Sequence, residues 1–186
     1  MNIKKYFREV LNELSENEKR INEKDWNIFI KEILKSRHVF ITGKGRSGLI
    51  ASAFANRLLH LGISVSVVGE ITNPHTQNGD LLIVVSGSGN TNSLLELVKI
   101  AKKNEVKTVL ITSNNSPKIG ELVDQILILS GTSAKSEKTS NSLSIQPMGT
   151  SFEQLVFLIF DSLVLSIMDF KHMTSDMMFL NHANLE

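Results

Sequence analysis

An apolar run at residues 81–85 is followed by a segment, SGSGNT, in which hydroxyl side chains alternate with glycines. The hydroxyl and glycine residues of this segment are Ser86, Gly87, Ser88, Gly89 and Thr91. Hydroxyl and backbone N–H groups donate hydrogen bonds to anions, and glycine lets a ligand approach the backbone closely. The segment therefore predicts a loop that binds a phosphate group without using lysine.

The elements on either side would present this loop at one edge of a sheet. The apolar run predicts a strand buried on both faces of a parallel sheet, and Asn92–Lys103 predicts a helix. Ligands bind at the carboxyl ends of such strands, and a helix N-terminus adds free N–H groups and the positive end of its dipole. Helix capping is the alternative explanation, because Ser93 and Glu96 fit a capping box, but one cap needs only one hydroxyl.

A second glycine-containing loop, GKGRSG, follows another predicted strand at residues 39–42. Arg46 lies between Gly45 and Ser47 in this loop, so we expect it to offer a fixed cation to the substrate or its phosphate. A solvated surface arginine is the alternative. Ser47 stands at the start of the next predicted helix. It is expected to be the N-cap of that helix, to offer another hydroxyl to the ligand, or to do both. Together the two loops are expected to hold one phosphosugar.

The second loop also fits a dinucleotide-binding motif. Gly43, Gly45 and Gly48 match G-x-G-x-x-G, and Glu70 stands near the end of the next strand, where such folds carry an acidic residue. Alone this motif is a weak signal. It also leaves the hydroxyl-rich loop unexplained, so a phosphosugar is the favoured ligand.

The order of predicted elements is typical of an α/β fold with a doubly wound, mainly parallel five-stranded sheet flanked by helices. Helical spacing of apolar residues predicts two amphipathic helices at the N-terminus. The predicted strands cover residues 39–42, 64–68, 81–85, 108–112 and 126–129. Ser116 and Pro117 predict another helix start before the last strand. The polar residues 130–146 predict a mobile surface loop.

Composition limits the possible partners and cofactors. With 41% hydrophobic residues, residues 1–186 are expected to form a single domain, and a net charge of +1 argues against nucleic acid or a membrane surface as partner. Cysteine is absent and the five histidines lack ligand spacing, so we expect no metal. The polar N-terminus and the polar residues within the apolar segment 155–168 argue against a secretion signal and a membrane span, which predicts a cytoplasmic protein.

Several separated motifs, in the same order, resemble the sugar isomerase (SIS) family. They are GKGRSG, SGSGNT, TSN at residues 112–114, and PMGTSFE before an apolar helix. Together with the C-terminal HANLE, they are most similar to the 6-phospho-3-hexuloisomerase group of that family. The resemblance covers nearly the whole chain.

This resemblance implies an SIS fold and an isomerase that interconverts D-arabino-hex-3-ulose 6-phosphate and D-fructose 6-phosphate in the ribulose monophosphate pathway of formaldehyde fixation. It implies proton transfer through an enediol-type intermediate without a cofactor, and a homotetramer, or else a homodimer, with active sites near subunit interfaces. Arabinose 5-phosphate isomerase, another SIS phosphosugar isomerase and a non-catalytic phosphosugar-binding protein remain alternatives. Arabinose-type enzymes usually lack the HANLE ending, and regulatory members would carry a DNA-binding domain.

For this chemistry the resemblance favours Glu153 as the catalytic base. Glu153 opens an otherwise apolar helix, so we expect it at the sheet edge beside the phosphate loop. The alternative is structural, because Thr150 and Glu153 fit a capping box.

The resemblance also makes His182, in the HANLE ending, the second catalytic candidate. A histidine that titrates near neutral pH suits the handling of substrate oxygens or the opening of the sugar ring. A frayed C-terminal tail is the alternative. The family usually carries arginine immediately before this histidine, whereas this chain has Asn181.

Overall fold

A computed structural model of the chain describes residues 1–129 and 144–185. It confirms the α/β fold: five strands form one sheet in the order β2-β1-β3-β4-β5, and every neighbouring pair is parallel. The strands are β1 Val39–Gly43, β2 Val65–Val67, β3 Leu81–Val85, β4 Lys107–Thr112 and β5 Gln125–Ile128. In this register Val39 of β1 aligns with Val65 on one side and Leu81 on the other. The predicted loop at 130–146 lies outside the described residues as far as position 143.

Helices cover both faces of the sheet, and the two amphipathic helices at the N-terminus are confirmed. The helices are α1 Ile3–Glu18, α2 Glu23–Lys35, α3 Arg46–His60, α4 Asn92–Lys103, α5 Thr150–Lys171 and α6 Ser175–Phe179. One apolar cluster joins a sheet face to α2, α3 and α5, and a second joins the opposite face to α4. All five residues of β3 are buried, as the unbroken apolar run predicted. Phe54 of α3 stacks on Phe160 of α5 with ring centroids 4.0 Å apart.

The helix predicted after Ser116 and Pro117 is wrong in kind, because the segment forms only a four-residue 3₁₀ turn, Lys118–Glu121. Two backbone N–H groups of this segment bind the loop after β3 instead of extending a helix. Lys118 N donates to Asn90 Oδ1 at 2.8 Å, and Ile119 N donates to Gly89 O at 3.0 Å.

Within the described residues, α5 is the one helix whose length and apolar composition would suffice to cross a membrane. Half of its most apolar window is buried in the chain, and its buried residues belong to the core. Core helices of globular proteins pass the same test, so this property alone is weak support for a membrane span.

Candidate active site

A cleft of about 270 Å³ opens at the carboxyl ends of β1 and β3. The strand order reverses direction between these two strands, and open α/β sheets bind their ligands at such a point. The lining residues come from the end of β3, from the loops after β1 and β3, and from the starts of α3, α4 and α5. They are Lys44, Gly45, Ser47, Val85, Ser86, Gly87, Ser88, Thr91, Leu94, Gly149, Phe152 and Glu153. The structure therefore brings together seven of the nine residues that the sequence selected, and leaves Arg46 and His182 outside this lining.

Three helices direct their N-termini at the cleft. The N-cap residues of α3, α4 and α5 are Gly45, Thr91 and Gly149, and all three line it. None of these N-caps makes a side-chain hydrogen bond to its helix. Each helix start keeps backbone N–H groups without intrahelical partners and carries about half a positive charge. The cleft is consequently suited to an anion such as phosphate.

Two of the cleft hydroxyls are not used by the protein itself. Within the described part of the chain, the hydroxyls of Ser47 and Thr91 have no hydrogen-bond partner. Of the two roles predicted for Ser47, helix capping does not occur, since Gly45 is the N-cap. The capping box predicted from Ser93 is likewise absent, because the N-cap of α4 is Thr91, two residues before Ser93.

The other two hydroxyls hold the SGSGNT loop in shape. Ser86 Oγ accepts a hydrogen bond from Gly89 N at 3.2 Å, and Ser88 Oγ accepts one from Asn90 N at 3.3 Å. At Gly89, φ is +60°, and a Cβ atom there would lie 2.2 Å from Pro117 Cβ, so only glycine fits.

The TSN segment after β4 donates hydrogen bonds to the SGSGNT loop and holds its backbone in place. The hydroxyls of Thr112 and Ser113 both donate to Gly87 O at 3.0 Å, and Asn114 Nδ2 donates to Ser88 O at 2.8 Å. These bonds occupy carbonyl oxygens of the loop. The loop therefore has its shape before any ligand binds.

The glycines of GKGRSG are explained by close packing between β1 and α3. A Cβ atom on Gly43 would lie 2.9 Å from Gly48 N, and one on Gly48 would lie 2.8 Å from Gly43 O. Glu70, which a dinucleotide site would use, is exposed and does not line the cleft. The motif therefore needs no dinucleotide to account for it.

Glu153 lines the cleft from the first turn of α5, and its side chain is 15% exposed. Its Oε2 atom accepts a hydrogen bond from Arg46 Nε at 2.5 Å. The alternative capping box is wrong, because Glu153 N donates to Gly149 O and the Thr150 hydroxyl donates to Pro147 O. The carboxylate at the cleft is therefore held by an ion pair and not by helix capping.

His182 lies at the other end of α3 from the cleft. Its ring stacks on His60, the last residue of that helix, with centroids 5.1 Å apart, and on Phe179 at 5.5 Å. Asn181 Nδ2 donates to His60 O at 2.9 Å, so the tail is attached to the fold at this point. At about 1.5 Å per residue, the length of α3 separates His182 from the cleft of its own chain by about 20 Å.

The surroundings of His60 favour its neutral form. Burial lowers the pKa of His60, and the nearby His182 and Arg57 lower it further. A neutral His60 is consistent with the stacked ring contact and with the Arg57 guanidinium 3.3 Å from His60 Nδ1.

Sequence reasoning missed several lining residues, of which Lys44 matters most. The SGSGNT loop itself contains no lysine, but Lys44 of the neighbouring GKGRSG loop lines the same cleft. Phe152 and Gly149 were also missed, although both lie within the PMGTSFE motif. All three residues lie within motifs that the sequence analysis selected, but only the packing of α5 against the two loops shows that they line the cleft.

Comparison with known proteins gives a consistent result. The model of the SIS domain matches residues 32–158. A 3-hexulose-6-phosphate isomerase from Bacillus subtilis is 39% identical over 186 residues, which is all of both chains, and one from Methylomonas aminofaciens is 40% identical over 79% of this chain and 80% of its own. A solved structure from Methanococcus jannaschii, from which a 3-hexulose-6-phosphate isomerase function was inferred, is 31% identical with a TM-score of 0.84, covering 98% of this chain and 99% of its own.

Proposed function

Since the chain belongs to the SIS domain family, we propose that it is an isomerase that interconverts 3-hexulose 6-phosphate and fructose 6-phosphate. The observation that carries this proposal is the similarity to a 3-hexulose-6-phosphate isomerase along the full length of both chains. The cleft supports the same class of substrate, because three helix N-termini suited to an anion lie beside the carboxylate of Glu153. We propose that the reaction belongs to the ribulose monophosphate pathway and takes place in the cytoplasm.

The phosphate of the substrate would bind at the three helix N-termini. Ser47 and Thr91 would donate their unused hydroxyls, and the preformed loop would contribute the backbone N–H groups of Gly87 and Ser88. Ser86 lines the cleft with its side chain, because its backbone N–H already donates to Ile111 O. This arrangement leaves the carbonyl end of the sugar to extend toward Glu153, which lines the same cleft.

We assign the proton transfer between carbons to Glu153. In the direction of fructose 6-phosphate, its carboxylate removes the proton from C2, and the electron pair forms a C2=C3 enediol with the former carbonyl oxygen on C3. The proton then returns to C3, the hydroxyl proton on O2 is transferred to O3, and the carbonyl forms at C2. One carboxylate can serve both carbons because they are adjacent, and the reaction involves no net oxidation.

We propose that His182 assists the oxygen atoms in the cleft of a neighbouring subunit. The length of α3 keeps this side chain away from the cleft of its own chain, which supports a role across an interface. An imidazole exchanges protons near neutral pH, as the transfer between O2 and O3 requires.

This role needs an oligomer, and we propose a homotetramer, with a homodimer as the smaller alternative. Large apolar side chains are exposed on α1 and α5 of the isolated chain, which supports association. They include Ile3, Phe7 and Leu11 on α1 and Leu158, Leu165 and Phe170 on α5. Light scattering is expected to give a mass well above 20.7 kDa, and a monomer would contradict the proposal.

The decisive experiment couples the purified protein to a synthase that makes 3-hexulose 6-phosphate and measures the fructose 6-phosphate formed. Arabinose 5-phosphate is the parallel substrate, because turnover of that sugar alone would indicate the alternative isomerase. Calorimetric binding of fructose 6-phosphate without turnover of either sugar would indicate a binding protein and overturn the proposal.

A further inference from the structure

The GKGRSG loop carries two cations whose surroundings differ. Lys44 lines the cleft, and within the described residues it has no ion pair or hydrogen-bonded carboxylate. Arg46, two residues later, is outside the cleft lining and is paired with Glu153. One loop therefore presents one cation that is available to a ligand and one that is already bound to the reactive carboxylate.

The Arg46–Glu153 ion pair holds one oxygen of the Glu153 carboxylate. The bond joins Arg46 Nε to Oε2 alone, so Glu153 Oε1 has no hydrogen-bond partner in the described part of the chain. The arginine side chain is 62% exposed, whereas the glutamate side chain is 15% exposed. Arg46 therefore holds one carboxylate oxygen and leaves the other without a bond from the described residues.

Both partners stand on elements that are fixed relative to each other. Arg46 is the first residue of α3, directly after Gly45 at φ +59°, and Glu153 is in the first turn of α5. The stacking of Phe54 on Phe160 holds the same two helices together. The ion pair therefore restricts the rotation of the Glu153 side chain, not the spacing of the helices.

We propose that Arg46 is a positioning residue for Glu153, and that Lys44 is the side-chain cation for the substrate's phosphate; this assignment rests on the proposed isomerase function. The reaction takes a proton from C2 and returns it to C3, so the carboxylate must keep one orientation toward two adjacent carbons. A displacement of about 1 Å in a catalytic group can cost a hundredfold in rate. Arg46 provides that restraint through Oε2, while Oε1 carries the proton.

The test separates turnover from phosphate binding in four variants. Arg46→Gln and Arg46→Lys remove and retain the charge beside Glu153, and Lys44→Gln removes the charge in the cleft. Lys103→Gln, at the far end of α4, is the matched control for the loss of one surface cation. For each protein, kcat and KM are measured in the coupled assay, and the Kd of inorganic phosphate is measured by calorimetry. Thermal melting checks that each variant folds.

We expect Arg46→Gln to lower kcat by roughly ten- to a hundredfold while the phosphate Kd stays within about twofold of the wild type. Arg46→Lys should recover part of kcat, because an ammonium can still pair with the carboxylate. Lys44→Gln should raise both KM and the phosphate Kd by about tenfold, the worth of one charge-assisted hydrogen bond.

Two results would overturn the assignment. One is Arg46→Gln weakening phosphate binding as much as Lys44→Gln while kcat is retained, because Arg46 would then be a phosphate ligand. The other is an unchanged phosphate Kd in Lys44→Gln. If the wild type isomerises neither sugar, the proposed function fails. The Kd values of inorganic phosphate for Arg46→Gln and Lys44→Gln still decide which of the two cations binds phosphate.

Discussion

Two groups of polar side chains at opposite edges of the sheet differ in whether the protein itself supplies their hydrogen-bond partners. At the amino edge, the carboxylate of Asp124 is bonded within the protein: it accepts hydrogen bonds from Thr108 N, from the Thr108 hydroxyl and from Lys102 Nζ, at 2.8, 2.9 and 2.5 Å. At the carboxyl edge, the hydroxyls of Ser47 and Thr91 have no hydrogen-bond partner within the described residues.

The difference indicates which polar groups contribute to the free energy of unfolding and which are available to bind a ligand. Polar groups that are satisfied within the fold contribute to stability, whereas groups left without protein partners are available to a ligand. Substitutions at the amino edge should therefore change the free energy of unfolding, and substitutions at the carboxyl edge should change binding or turnover.

The largest expected effect concerns the tail, which lies at the amino-edge end of α3 in its own chain. Deletion of residues 182–186 is expected to abolish isomerisation, because His182 would no longer reach a neighbouring cleft. The melting temperature should change little, since the bond between Asn181 Nδ2 and His60 O remains. His182→Gln, which keeps the tail, is the finer variant. Full activity after the deletion would show that the tail has no catalytic role.

Glu153→Gln is expected to lower kcat by about a hundredfold or more, the usual worth of a general base. Its amide oxygen can still accept the hydrogen bond from Arg46, so thermal melting should match the wild type. Glu23→Gln, in the first turn of α2, removes a carboxylate from a comparable helix position and should leave kcat unchanged. Retained turnover in Glu153→Gln would remove this residue from the mechanism.

At the amino edge, Asp124→Ala removes the acceptor of three hydrogen bonds. We expect the free energy of unfolding to fall by about 2 kcal/mol, because Thr108 and Lys102 lose a charged partner. The activity per folded molecule should be unchanged. Urea unfolding followed by circular dichroism measures the loss, and a fall in kcat with unaltered stability would reverse the comparison between the edges.

Thr91→Val tests the opposite edge with a substitution of nearly equal volume. The Thr91 hydroxyl caps nothing, so we expect unchanged stability, but KM should rise by about tenfold if the hydroxyl binds phosphate. Asn22→Ala is the contrasting cap variant, because Asn22 does accept a hydrogen bond from Lys24 N. It should cost about 1 kcal/mol of stability at constant KM. A stability loss in Thr91→Val of the same size would count against the comparison.

The smallest effect is a dependence of stability on pH. Burial raises the pKa of Asp124, but the hydrogen bonds from Lys102 and Thr108 outweigh it, and the net pKa is below the ordinary value. The stabilisation is therefore fully present above the unfolded value of about 4 and is lost as the pH falls through the lower folded value. Melting curves of the wild type and Asp124→Asn should converge on acidification from pH 7 to 3. A constant difference in melting temperature between the two proteins over that range would contradict a lowered pKa of Asp124 in the folded state.

Much of the fold follows from local signals. The run at β3 is apolar at every position because both faces of that strand are covered, so its bounds were predicted correctly. The prediction of a helix failed where backbone N–H groups form hydrogen bonds to a distant part of the chain. The residues after Ser116 resemble a helix start, yet their N–H groups bind Asn90 and Gly89.

For the candidate site, the sequence alone determined the hydroxyls, the glycines and the carboxylate, since each lies in a short motif beside a strand or helix end. Only the tertiary structure decided their partners. Arg46 and Glu153 are 107 positions apart, and no local pattern indicates that they pair. Their contact, like the separation of His182 from the cleft, depends on how α3 packs against α5 and on the length of α3. Local propensity selects the elements, but the distances between side chains depend on how those elements pack.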